Sequence, residues 1–76
     1  RFPVDALTPR ERQVFELTAK GLTNVGIGRA LGISSRTVEI HRANAMRKLH
    51  ADNLAALVRC AYRYGVLSNE TTLSHV

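Results

Sequence analysis

The sequence predicts an all-α domain, a bundle-like arrangement of four helices built around a helix-turn-helix. Three observations lead there. Four segments each open on a capping Thr, Ser, Asn or Asp, and three of them close on Gly. Within them the apolar residues recur at helical rather than strand spacing, and no segment reads as a strand. Between the second and third segments stands Gly32-Ile33-Ser34, a three-residue turn followed by a basic helix.

The first helix is predicted over about Pro9 to Lys20. Thr8 can cap it, Glu11 completes a capping box, and Pro9 falls at the first helical position, where its missing N–H costs nothing. Val14, Leu17 and Thr18 follow at i, i+3, i+4, and Gly21 ends the helix. Thr23 caps a short second helix, Asn24 to Leu31, ended by Gly32, with Ile27, Ala30 and Leu31 facing inward. Gly26 and Gly28 lie inside it, each costing up to about 1 kcal/mol against Ala. At Gly28 the expected reason is close approach of another helix.

Ser34 or Ser35 caps the third helix, which runs to about Leu49. Asp52 or Asn53 caps the fourth, through Tyr64, with Gly65 as its stop and Leu54, Leu57, Val58 and Ala61 as its apolar stripe. Residues 1–6 have no period and read as the end of a linker from a longer protein, consistent with a start that is not Met. Residues 7–67 form the expected domain. No period is visible from Val66 onward, and 68–76 are expected to form a flexible tail.

Composition narrows the function. A chain of 76 residues hides only roughly 60% of its unfolded surface. Its 45% apolar content is that of a globular domain rather than a disordered tail. Apolar runs are a few residues long, which excludes a transmembrane helix, and no secretory signal opens the chain. Cys60 is the single cysteine, which suits a reducing, cytoplasmic setting. Eleven Lys and Arg against six Asp and Glu give a net charge of +5, which favours a polyanionic partner, nucleic acid first.

The third helix carries the function. Helical rotation of roughly 100° per residue places Val38, Arg42, Ala45 and Leu49 on one arc, with His41 and Met46 on its flanks. The opposite arc holds Glu39, Ile40, Ala43, Asn44 and Arg47. An Ile and an Ala amid an exposed face make sense in a major groove, where small and branched apolar groups meet thymine methyls. Asn44 suits bidentate pairing with adenine, and Glu39 can accept from a cytosine amine. Arg36, Arg42, Arg47 and Lys48 supply charge for phosphates. Ser35 and Thr37 stand in the first turn, where open backbone N–H groups and the helix dipole favour an anion.

Several motifs together resemble the LuxR-type helix-turn-helix. They are Leu7-Thr8-Pro9-Arg10-Glu11, Gly21-Leu22-Thr23-Asn24, Leu31-Gly32-Ile33-Ser34, Thr37-Val38-Glu39-Ile40-His41 and Lys48-Leu49, in that order and spacing, over Leu7 to Leu67. The chain is most similar to the C-terminal effector domain of NarL/FixJ-type response regulators, through Arg36-Thr37-Val38-Glu39-Ile40-His41-Arg42-Ala43-Asn44. The resemblance implies a bacterial transcription factor that binds double-stranded promoter DNA as a homodimer, with the third helix in the major groove and the fourth forming the dimer contact. It also implies an N-terminal receiver domain, phosphorylated on an aspartate, and leaves RNA polymerase open as a further partner. By the same analogy Glu39, Ile40 and Ala43 read bases, while Arg36, Thr37 and His41 touch the backbone.

Three positions depart from the pattern. Gly26 stands where relatives usually carry Glu, so the second helix loses its capping box with Thr23. Gly28 replaces the usual Ala, and Ala45 the usual Ile. All three shrink the scaffold and point to a less stable domain with its DNA face intact.

Plainer readings stand beside these. A basic helix alone is a solvated face; its place in a helix-turn-helix decides for DNA. Arg42 rotates toward the core and reaches a phosphate only by snorkelling. His41 is open between a buried, hydrogen-bonded histidine and a phosphate contact. His41, His50, His75 and Cys60 fit no zinc spacing, so no metal or cofactor is expected. Cys60 lacks a nearby acid or His partner, and no nucleophile–base pair or phosphate-cradling loop exists, which argues against an enzyme. Tyr62 and Tyr64 are open between core and dimer contact. The rival functions are a sigma-factor-like promoter-reading region and a basic protein-interaction module, in which Ile40 and Ala43 would pack against protein.

Overall fold

The computed structural model describes residues 3–67, and among them there is no strand. A 3-10 turn, Pro3–Ala6, leads into α1 (Pro9–Ala19), α2 (Asn24–Leu31), α3 (Ser35–Lys48) and α4 (Leu54–Arg63). The expected tail, with His75, lies outside the described residues.

Each helix begins where its cap dictates. Glu11 N–H donates to Thr8 Oγ1 at 3.1 Å while Thr8 N–H donates to Glu11 Oε1 at 3.0 Å, a full capping box. Thr23 accepts from Gly26 N–H, but Gly26 has no side chain to reach back, so this cap is half as rich. Ser34, rather than Ser35, caps α3, accepting from Thr37 N–H at 3.1 Å. Asn53, rather than Asp52, caps α4 through Ala56 N–H at 2.8 Å. Gly32 ends α2 in the left-handed conformation, at φ 72°, which turns the chain into α3.

Two apolar clusters hold the helices. Val14, Ile27 and Val38, all fully buried, join α1, α2 and α3 and fix the helix-turn-helix. Each such side chain stabilises by about 2 kcal/mol. Val4, Phe15, Ala45, Leu49, Ala51, Leu57 and Ala61 join α1, α3 and α4 to the leading turn. Val4 is only 5% exposed, so this side chain joins the core from a stretch expected to be a linker end. A four-residue turn shows no period, and nothing local marks its one buried side chain. Val66 and Leu67 also pack against this cluster, although no period is visible there.

Other expectations are corrected by rotation. Ala30 is exposed, because α2 buries only the side holding Ile27 and Gly28. Leu54 is 49% exposed, since α4 centres its buried face on Leu57 and Ala61. Gly28 is approached by the turn rather than by another helix: a Cβ there would stand 2.6 Å from the Ile33 carbonyl oxygen. This glycine therefore fits the turn and is not simply a loss of scaffold.

Candidate nucleic-acid interface

The second helix of the helix-turn-helix is held from behind by α1 and α2, which leaves its other side to solvent. Arg36, Glu39, Ile40, Ala43 and Arg47 are all exposed there, with Asn44 half-buried at the margin. Arg36, Ile40, Ala43 and Arg47 follow one another at i, i+4, i+7, i+11 and form a single ridge. Ile40 is 50% exposed in the middle of this ridge, between two arginines. Folding alone gives no reason for a branched apolar side chain there.

The polar groups of the ridge are loosely engaged. Arg36 lies 3.7 Å from Glu39, both well exposed, a pair worth little in water and easily exchanged. Arg47 donates to Asn44 Oδ1 at 3.2 Å, so bidentate use of Asn44 on adenine requires that bond to open. At the helix start, Ser34 satisfies Thr37 N–H, and its hydroxyl also lies 3.0 Å from Thr37 Oγ1. Ser35, the first residue of the helix, is exposed. Its N–H and that of Arg36 are among the donors that a helix start leaves without intrahelical partners, a setting that favours an anion.

The flanks separate the remaining predicted residues. His41 is half-buried on the side facing α1, within electrostatic range of Glu11. Arg42 turns toward α2 and donates to Asn24 Oδ1 at 3.3 Å, a contact that ties the two helices of the motif. Lys48 is withdrawn from the site. Its ammonium donates to Glu11 Oε1 at 2.7 Å and to the Ala6 carbonyl at 3.3 Å, on the flank of α3 that faces α1. That pairing and the Thr8 N–H hold the Glu11 carboxyl below its ordinary value, against the opposing effect of burial. Sequence reasoning missed Glu11 and Asn24 as partners, because they lie 37 and 18 positions away from the residues they hold.

A second exposed apolar line runs along α4. Leu54 is 49% and Tyr62 42% exposed, with Val58 half-buried between them. At i, i+4, i+8 the three span an arc of roughly 80°. No helix of the described residues is long and apolar enough to cross a membrane.

The fold and sequence match known proteins. The profile of "Bacterial regulatory proteins, luxR family" matches residues 5–61. The chain is 50% identical over 66 residues to the transcriptional regulatory protein FixJ of Bradyrhizobium diazoefficiens, covering 87% of this chain and 32% of that protein. It is 49% identical over 55 residues to the transcriptional regulatory protein UhpA of Escherichia coli, covering 72% of this chain and 28% of UhpA. A crystal structure of full-length FixJ from B. japonicum superposes with a TM-score of 0.79 at 50% identity, over 87% of this chain and 32% of that one. The chain thus spans about a third of the length of these relatives. With a helix-turn-helix whose second helix presents a basic, partly apolar ridge, the chain belongs to the luxR family of bacterial regulatory proteins, as a DNA-binding domain.

Proposed function

We propose that this domain reads a specific double-stranded promoter sequence with α3 in the major groove, as the output of a bacterial response regulator acting in the cytoplasm. Glu39, Ile40, Ala43 and Asn44 read base edges. Ser35, Arg36, Thr37, His41 and Arg47 hold phosphates, with Arg42 at the margin; Lys48 is left out of this set. Two copies bind together through Leu54, Val58 and Tyr62 of α4. The remainder of the protein supplies a receiver whose phosphorylated aspartate releases the domain, and RNA polymerase is the partner in transcription.

The observation that supports this reading best is Ile40, half-exposed between Arg36 and Arg47 on the outer ridge of the second helix. A groove lined by phosphates and floored by thymine methyls matches that alternation of charge and apolar surface. The family match favours neither the sigma-factor-like region nor the protein-interaction module.

Selection of bound sequences from a random duplex pool tests the reading. An enriched palindrome is expected, with half-sites about one helical turn apart. With about four phosphates neutralised, affinity for it should fall by roughly two decades between 50 and 200 mM salt. Steep salt dependence with no enriched sequence would reduce the domain to a polyanion binder.

A further inference from the structure

Lys48 bridges two parts of the chain that lie far from it in sequence. Its ammonium donates to the Ala6 carbonyl of the leading turn and to the Glu11 carboxylate at the start of α1. Glu11 is itself 5% exposed and also accepts from Thr8 N–H. Beside this polar clamp, Val4 enters the same apolar cluster as Ala45 of α3 and Leu49 at its C-cap. Groups from residues 4 to 11 thus converge on the last turns of the helix whose outer ridge meets DNA.

We propose that the leading turn is a positioning device for the recognition helix: Lys48, clamped between Ala6 and Glu11, couples the seating of residues 3–6 to the pose in which α3 enters the groove. The turn has the character of a separable element. One buried side chain, the Leu7 N–H to Val4 carbonyl bond at 3.2 Å and the Lys48 contact at 3.3 Å hold it, while Asp5 and Ala6 are exposed. Such an element opens at a small fraction of the cost of global unfolding. When it opens, Val4 leaves the cluster that backs α3, and Lys48 loses one of its two acceptors. Both changes fall on the recognition helix, and neither touches a residue of its outer ridge. Anything that pulls on residues 3–6 therefore reaches the DNA face through Lys48 and Val4, making these positioning residues rather than contacts. The proposal rests on α3 as the DNA-reading helix.

Linkage makes the proposal testable in both directions. If the unseated form binds about tenfold more weakly, saturation with DNA must raise the seated-to-unseated ratio by the same factor. The probe is a duplex enriched from a random pool, against a scrambled duplex, with the 76-residue chain and its Val4→Ser and Lys48→Met variants. Lys48→Met keeps the aliphatic stem and removes the clamp. Circular dichroism first establishes that each variant is helical at the measuring temperature; where Lys48→Met is not, Val4→Ser carries the test. The expected result is that the enriched duplex slows exchange of the Leu7 amide about tenfold in the wild type. Val4→Ser binds that duplex about tenfold more weakly with unchanged sequence preference, and Lys48→Met loses the slowing. A wild type that discriminates the duplexes but shows the same Leu7 exchange with and without DNA overturns the coupling, as does a Val4→Ser variant that binds like wild type. A wild type that does not discriminate the duplexes overturns the DNA reading as well, and is recognised before any variant is measured.

Discussion

The Ile33 carbonyl oxygen stands 2.6 Å from the point a Cβ on Gly28 would occupy, so the turn of the helix-turn-helix closes directly onto the backbone of α2. The Ile33 N–H donates to the Gly28 carbonyl at 2.9 Å, locking the same contact from the other side. Gly28→Ala must displace this turn, and with it the start of α3; a loss of about 1–3 kcal/mol is expected from such overpacking. Gly26 is the opposite case. A Cβ there meets nothing nearer than Thr23 Oγ1 at 3.4 Å, so Gly26→Ala should stabilise by up to about 1 kcal/mol. Urea unfolding of the two variants checks both signs, and the same sign for both would contradict this account of the turn.

Thr18 is 3% exposed, and its hydroxyl has no hydrogen-bond partner. A buried hydroxyl without a partner carries its desolvation cost uncompensated. Thr18→Val keeps the shape and removes that cost, so a gain of about 1 kcal/mol is expected in the same unfolding assay. A loss of similar size would show that the hydroxyl is satisfied in solution.

Glu11 makes the stability depend on pH. The Lys48 ammonium, then the Thr8 N–H, hold its folded carboxyl below the ordinary value. The folded state therefore binds this proton less readily than the unfolded chain. Its contribution is complete above the ordinary carboxyl range and fades as pH falls through that range to the lowered folded value. Glu11→Gln should cost roughly 2 kcal/mol near neutral pH, from the loss of a charge-assisted hydrogen bond. The gap between wild type and variant should then narrow on acidification to about pH 3. Unfolding curves at the two pH values measure it; a gap that widens in acid would reverse the assigned sign.

On α4, Leu54 is exposed by 49% and contributes little to the domain's own core. Leu54→Asp should leave the melting temperature close to that of wild type. It should weaken binding to a duplex carrying two half-sites while sparing a single half-site, because only the pair uses the α4 line. Equal loss on both duplexes would place Leu54 outside any contact between copies.

The helices were legible because their ends are written in local chemistry. Thr8 with Glu11, Thr23, Asn53 and Gly32 each act within four residues of the group they satisfy. The outward ridge of α3 was legible too, since rotation alone separates Ile40 and Ala43 from Val38 and Ala45. What escaped depends on distant partners. Lys48 resembles any other cation of a basic helix until Glu11 is brought beside it. Val4 belongs to the core through packing that no short period announces, whereas Phe15 stands on the i, i+3, i+4, i+7 face of Glu11, Val14 and Thr18 and was legible there. Leu54 fits a generic apolar stripe, and it is left to solvent because α4 centres its buried face on Leu57 and Ala61.

In the proposed complex the outer ridge of α3 reads bases while the start of that helix holds phosphate. The most direct test is to compare the sequences enriched by wild type, Arg36→Ala and Glu39→Ala from one random duplex pool, with affinities for the winners. Arg36 is the exposed cation beside the helix start, so its removal should weaken all duplexes alike, keep the preferred sequence and lower the salt slope by about 1. Glu39→Ala should instead change which duplexes are enriched, at the base pair it faces. Equal losses with an unchanged preferred sequence in both variants would contradict the claim and move base reading away from this face.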